Sequence, residues 1–334
     1  MSTLFVDDND VNLKIKENRL VIYRKEECIK SIPIRQIDSL MLMSNASVTT
    51  ACIKQLLKLG IPIVYTSQYG KLYGKVDSST MRNTYRQRRQ CSLYDTDFSL
   101  DLAKKMLNAK LHNQSVVLRR YSRSKCIDNS EYINAVRYCM KKIDMSSSIN
   151  EIIGYEGRAA KCYFKGLSKC VGDDFKFNCR SRPARDEINA MLNFGYTMLY
   201  NMMLGLIESH NLNPCFGFIH RDANNHMTLA SDLMEEWRPI VVDTVILGMI
   251  SRHEITKKDF EIRNDEKSVV MNKNVIEKFS KKILDRYKTS FKYVEVSNDD
   301  TENFVRTAMN RQIYTLIKAI EKGDASYYEA VRIR

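Results

Sequence analysis

The sequence predicts an α+β protein of two domains. The first is a small N-terminal β-rich domain, β-sandwich-like with one helix, over residues 1–77. A larger all-α domain follows over residues 91–334, and a basic linker at 78–90 joins the two. Three observations carry this prediction. Apolar residues in the first 77 positions come in short β-prone runs broken by turn signals, and beyond about residue 80 they recur at helical spacing. The 12 glycines and 5 prolines among 334 residues are too few for a loop-rich all-β chain, so helix should dominate. A hydrophobic content of 44% at this length supports a sizeable core in one large domain or two ordinary ones.

Taken in order, Leu4-Phe5-Val6 is a short apolar run ahead of an acidic turn. Leu13 and Ile15, Leu20 to Tyr23, and Ile29 with Ile32 mark further strands, and Glu17-Asn18 offers a two-residue hairpin turn. Ile37 to Met43 is another apolar run. From Thr49 to Leu59 the spacing is helical, through Ala51, Ile53, Leu56 and Leu57, with Gly60 as a stop signal. Strand character resumes at Ile61–Tyr65 and Leu72–Val76. The linker MRNTYRQRRQ, residues 81–90, carries Tyr85. A long amphipathic helix is expected over Phe98–Tyr121, and further helices near 130–142, 149–167, 186–209, 228–251, 272–288 and 301–321. Arg238-Pro239 should kink or restart the fourth of these six.

The chain holds 53 Lys and Arg against 40 Asp and Glu, a net +13, which points to a polyanionic partner. The surplus is concentrated: Lys71 to Ile127 contains 13 basic and four acidic residues, a net +9. The nine cysteines form no Cys-x-x-Cys pair and are odd in number, which argues against a zinc ribbon or a disulfide framework and fits a reducing, cytoplasmic location. MSTLFVDDND does not read as a signal peptide, and no apolar run is long enough for a membrane span.

Three segments could carry chemistry. In residues 148–164, Ser148 and Glu151 form a capping-box start, which places Glu156 inside a helix beside Gly154, Gly157, Ala159 and Ala160. Such small neighbours would let another backbone approach, and a carboxylate there needs a partner: a metal ion, or an arginine such as Arg158 or Arg182. In residues 216–239, His220 ends an apolar run, and Asp232 and Glu235 share a helix face at i and i+3. An acidic cluster between apolar flanks suggests an internal site. In residues 179–200, Arg180, Arg182 and Arg185 precede Asp186, a candidate N-cap, and an apolar helix with Asn189, Asn193 and Gly195 follows. The arginines suit phosphate contacts at the entry to the core; the plainer alternative is a solvated basic entry to a buried helix.

GYEGRAA, the helix with Asn-Ala and Phe-Gly-Tyr-Thr, and Gly-Phe-x-His followed by Ser-Asp-Leu-Met-Glu-Glu-x-Arg-Pro resemble, in this order and spacing, the CRISPR-associated integrase (the "Cas-one" family). The resemblance spans nearly the whole chain. It implies a divalent-metal site for Mg2+ or Mn2+ on Glu156, His220 and Glu235, with Asp232 as a supporting acid. It also implies joining of the 3′-hydroxyl ends of spacer DNA to a CRISPR repeat and a small Cas-two partner. Two joining events need two active sites and hence a two-fold oligomer, and the β-rich domain, whose strand edges can pair between chains, is the expected homodimer surface. Pro183-Ala184 stands where a double proline is common in the family, and Thr228 where serine is common. Two carboxylates and an imidazole suit Mg2+ or Mn2+, with Mn2+ the easier fit for nitrogen, and the lack of a cysteine argues against zinc. Two other readings use the same residues or none of them: a metal-dependent nuclease of branched or single-stranded nucleic acid without a Cas-two partner, and a non-catalytic nucleic-acid-binding scaffold.

Overall fold

The computed structural model describes residues 3–6, 8–37, 39–67, 72–78, 84–172, 174–175, 177–221, 224, 226–263, 268–289 and 305–334. The expected β-rich and helical regions are both present. Two four-stranded sheets build the first. Strands β1 (Thr3–Val6), β2 (Val11–Lys16), β3 (Arg19–Arg24), β4 (Glu27–Pro33), β5 (Ser39–Leu42) and β6 (Ser47–Val48) precede helix α1 (Thr50–Lys58), and β7 (Ile63–Thr66) and β8 (Leu72–Val76) follow it. One sheet runs β1-β5-β7-β8 and the other β4-β3-β2-β6. The β2–β3 hairpin pairs Lys16 with Arg19 across the anticipated turn, where Glu17 and Asn18 both take positive φ, 47° and 59°. That double left-handed conformation matches the twist of the flanking strands. Thr49 caps α1 by accepting from the Cys52 amide, and Gly60 leaves the helix at φ 70°. Leu13, Leu20, Ile22, Leu40, Leu42, Leu56 and Ile63 fill a core of this region's own.

Met41, Met43 and Val64, by contrast, belong to the core of the helical region. A Cβ built on Gly205 would come within 2.8 Å of Met41 Cε, so the sheet of β5 and β7 and the helix carrying Gly205 are in close contact. The helical region contains α2 (Thr84–Ser92), α3 (Asp97–Lys125), α4 (Ser130–Met145), α5 (Ile149–Val171), α6 (Glu187–Ser209), α7 (Thr228–Met234), α8 (Thr244–Ser251), α9 (Lys273–Tyr287) and α10 (Val305–Lys322). Two features differ from expectation. Residues 84–90 of the expected linker belong to α2, whose Gln90 is buried and clasps the chain at Asn213 and Phe216 through both ends of its amide. Its basic face is only partly solvated, since Arg86 reaches Glu321 and the His210 carbonyl. The second is a two-stranded hairpin, β9 (Phe260–Arg263) and β10 (Ser268–Met271), in the part expected to be all α. The start of the last expected helix, 301–304, lies outside the described residues.

The long helix α3 runs through the middle of the helical region with 17 buried residues along it. Its buried Asn113 donates to the carbonyls of Glu236 and Val331 and accepts from the Ile333 amide, tying the C-terminal tail to the chain beside Glu235. The break foreseen at Arg238-Pro239 is a π-helical segment, Arg238–Asp243, between α7 and α8. No helix among the described residues is long and apolar enough to cross a membrane. All nine cysteines are free.

Candidate active site

Glu156 lies midway along α5, which begins where Ser148 accepts from the Glu151 amide. The small residues around it do not serve the close backbone approach expected for them. Cβ atoms built on Gly154 and Gly157 meet nothing within 4 Å, and only Ala159 is buried. The partner of Glu156 is neither Arg158, which stands over the Tyr138 ring, nor Arg182. It is Lys110 of α3, whose ammonium contacts Glu156 Oε1 and lies 2.6 Å from Glu235 Oε2. Glu235, the residue that ends α7, is buried and takes Arg238 Nη1 at 3.1 Å on its other oxygen. One buried ammonium thus bridges two acidic side chains about eighty residues apart in sequence.

His220 reaches the same place from the loop before α7, held there by Asp232. That carboxylate is fully buried, and four donors converge on it. Oδ2 accepts from the amides of Phe218 at 2.6 Å and Ile219 at 3.0 Å, and Oδ1 from the His220 amide at 3.1 Å and His220 Nδ1 at 2.6 Å. With Nδ1 engaged, Nε2 is the ring nitrogen left to bind something else, the arrangement in which a carboxylate orients a metal-binding histidine. Asp232 and Glu235 therefore divide the work, Asp232 facing the loop and Glu235 facing Lys110. The loop has little freedom to do otherwise. The Thr228 hydroxyl accepts from the Gly217 amide and donates to the Cys215 carbonyl, and a Cβ on Gly217 would lie 2.7 Å from Asp232 Oδ2 and 2.9 Å from the Thr228 backbone. Threonine supplies here the hydroxyl that a serine would.

Glu156, His220 and Glu235 line one cavity of about 370 Å³, together with Lys110, Gln114, Ala160, Phe164, Arg180, Ser181, Arg182, Tyr196 and Arg238. Arg180 is held by Asn189 Oδ1 at 2.6 Å and Asn193 Oδ1 at 2.7 Å, and its guanidinium and that of Arg238 both stand over the Tyr196 ring, 5.2 Å and 4.9 Å from the centroid. Tyr196 donates in turn to the buried Asp243, as Tyr163 does. Asp186 caps α6 as expected, accepting from the Asn189 amide. Arg185 is exposed and takes no part in the cavity.

The charges of the cavity adjust to one another. Burial opposes the Lys110 ammonium, but Glu156 and Glu235 more than offset it and hold the group above its ordinary value. Burial also works against ionised Glu235; Arg238 and Lys110 overcome it and pull that carboxyl down to about 2. For His220 burial favours the neutral ring, yet the hydrogen bond and charge of Asp232 prevail and the imidazole is pushed upward. As the side chains stand, no three His, Cys, Asp or Glu among the described residues close around a single ion. The site nevertheless fits a cation, because one already sits between the two carboxylates. Glu235 Oε2, moreover, touches Lys110 without accepting a well-directed hydrogen bond.

Sequence reasoning missed Lys110, Gln114, Tyr196 and Asp243. A signal existed for Lys110: it falls three and four residues after Leu107 and Met106, on the apolar stripe of its helix, where a lysine needs a buried partner.

The geometry defines a class: a helical domain with a carboxylate–imidazole pocket ringed by guanidinium groups. Its position within that class follows from its relatives. The chain belongs to the CRISPR associated protein Cas1 family, whose family model matches residues 4–285. It is 30% identical over 328 residues to a CRISPR-associated endonuclease Cas1 of Mycobacterium tuberculosis, covering 98% of this chain and 96% of that protein. Its fold is similar to a chain of a partial Cas6-RT-Cas1–Cas2 complex (TM-score 0.80, 20% identity, 98% of both chains). It is also similar to a casposase bound to integration product (TM-score 0.79, 23% identity, 98% of this chain and 99% of that one).

Proposed function

We propose that this chain is a metal-dependent DNA endonuclease and integrase that joins the 3′-hydroxyl ends of new spacer DNA to a CRISPR repeat. The observation that carries the reading is the convergence of Glu156, His220 and Glu235, from three separate segments, on one cavity rimmed by Arg180, Arg182 and Arg238. Family membership and relatives named as endonucleases support it, and so does the likeness in fold to a casposase bound to integration product.

Glu156, Glu235 and His220 Nε2 would hold Mg2+ or Mn2+, which supplies Lewis acidity toward a phosphodiester oxygen. The chain's own groups do the rest. Asp232 keeps the proton of His220 on Nδ1, so that Nε2 presents a lone pair. Arg180 and Arg182 are placed to receive non-bridging phosphate oxygens, and the stacking of Arg180 and Arg238 on Tyr196 fixes those guanidiniums before substrate arrives. A 3′-hydroxyl attacks the phosphorus, forming one P–O bond as the bond to the departing 3′ oxygen breaks. One phosphodiester replaces another, so no external energy source is needed. With water as nucleophile the same displacement is hydrolysis.

Part of the basic surplus between Lys71 and Lys125 is used inside the fold: Lys75 pairs with Glu208, Lys105 holds tail carbonyls, and Lys125 binds the Cys170 carbonyl. Arg119, Arg120 and Arg123 remain exposed at the end of α3. Burial first, and then repulsion from Arg137, Arg120 and Arg123, pulls Arg119 below its ordinary value, and a cluster of like positive charge suits a DNA backbone. Joining two strands calls for two active sites, hence a homodimer. The exposed edge strand β4 is the surface in the β-rich region best suited to pair with a second copy. A small Cas2 partner completes the reading, supported by the likeness to a chain of a Cas1–Cas2 complex. Incubating the protein, with its Cas2 partner, with a duplex bearing free 3′-hydroxyls and a supercoiled repeat plasmid tests it. Covalently joined products in Mn2+, lost in E156Q, are expected; shorter fragments alone would leave a plain nuclease, and no product would overturn the proposal.

A further inference from the structure

We propose that Lys110 is a built-in counter-cation of the metal site: its ammonium holds the place of the divalent ion between Glu156 and Glu235, and yields to Gln114 when the ion binds. The inference rests on the metal reading above and concerns how that site fills. Three observations lead to it.

The Lys110 side chain is 6% exposed and touches both carboxylates proposed as ligands. Two carboxylates facing each other, Glu235 buried and Glu156 half-buried, repel, and an internal cation lets both stay ionised before any metal arrives. An ion entering between them must displace that cation.

The second observation is where the displaced ammonium can go. Gln114 stands four residues further along α3, lines the same cavity and is 3% exposed. Its Oε1 is buried and accepts no hydrogen bond among the described residues. Side chains at i and i+4 are neighbours on a helix, so a change of Lys110 rotamer brings the ammonium to that oxygen. An orphaned acceptor is costly in the metal-free state and is satisfied in the loaded one.

Third, Arg238 Nη1 lies 3.1 Å from Glu235 Oε1, the oxygen that Lys110 does not touch, so this anchor of the rim does not depend on Lys110. Lys110 is thus a positioning residue. It sets how tightly the site binds its ion and keeps the ligand carboxylates together in its absence.

Calorimetric titration of the full chain with Mn2+, without DNA, and thermal melting in EDTA test this. Apparent affinity falls by the fraction of molecules whose site is free, so a bridged state favoured about ten to one weakens binding about tenfold. K110M is expected to bind Mn2+ about tenfold more tightly than the wild type, to melt lower in EDTA, and to gain more in melting temperature from Mn2+. Q114L retains volume without the acceptor; it is expected to melt no lower in EDTA and to bind Mn2+ several-fold more weakly. Q114L also keeps the test decisive if K110M does not fold without metal. Wild-type binding that is lost in E156Q, with K110M or Q114L unchanged from wild type, overturns the role of Lys110 and leaves the metal site standing. If the wild type binds no Mn2+ at all, the metal reading falls and this inference with it.

Discussion

Replacing Asp232 by asparagine should damage the fold and the proposed metal site together. The carboxylate receives four donors, two on each oxygen, and is fully buried. An asparagine amide has one acceptor oxygen, and its NH2 group would face either the Phe218 and Ile219 amides or the His220 amide and Nδ1. With the NH2 toward the Phe218 and Ile219 amides, two buried donors lose their acceptor; turned toward His220, whose side chain is 40% exposed, it leaves the His220 amide without one and the ring must move its proton from Nδ1 to Nε2. Each orphaned buried donor costs about 1–3 kcal/mol, and the second orientation leaves one, so the loss should be about 1–3 kcal/mol. At roughly 2–4 °C per kcal/mol for a large domain, the melting temperature should fall by about 5 °C. His220 also loses the group that fixes its tautomer, and metal affinity should drop about 10–100-fold. Circular dichroism melting in EDTA reads the first effect and Mn2+ titration the second. A D232N protein that melts within about 2 °C of the wild type and binds Mn2+ equally well would refute the role given to Asp232.

Other consequences follow from the same geometry. G217A forces a Cβ to within 2.9 Å of the Thr228 backbone and 2.7 Å of Asp232 Oδ2, and should cost about 1–3 kcal/mol, read as a lower melting temperature. Glu236 is pushed up to about 8, first by burial, against hydrogen bonds from Tyr328 and the Val331 amide. A raised carboxyl stabilises the fold below its unfolded pKa and loses that contribution as pH climbs toward 8. E236Q should therefore gain melting temperature relative to the wild type between pH 5.5 and 8.5, and a constant gap across that range would contradict the assignment. Because the His220 imidazole is held above its ordinary value, protons compete with metal for the ring, and Mn2+ affinity should rise with pH through the neutral range. DNA binding should weaken steeply with salt, and charge removal at Arg119, Arg120 and Arg123 should flatten the slope, measured by fluorescence anisotropy.

Much of the architecture was legible because it is local. The hairpin at Glu17-Asn18, the caps at Ser148 and Asp186, and the break at Arg238-Pro239 each depend on a few neighbouring residues whose backbone preferences are strong. The helix over 84–92 was not legible, because its composition is that of a solvated basic tract and its order comes from Gln90 gripping a segment over a hundred residues away. The β9–β10 hairpin was missed for a related reason: Val269 donates to the Ala184 carbonyl, a distant partner that no local pattern announces. Within the site, Glu156, His220 and Glu235 stood out through motif resemblance, and Asp232 through its spacing to Glu235. Lys110 did not, because a single lysine in a long helix reads as surface until the stripe it occupies is seen to be buried.

Crystals of the full chain soaked in Mn2+, with anomalous scattering measured at the manganese edge, test the central claim most directly. The account predicts one strong peak within bonding reach of Glu156, Glu235 and His220 Nε2, with the Lys110 ammonium moved away from both carboxylates. A peak elsewhere, or none while Lys110 still bridges the two acids under saturating Mn2+, would contradict it.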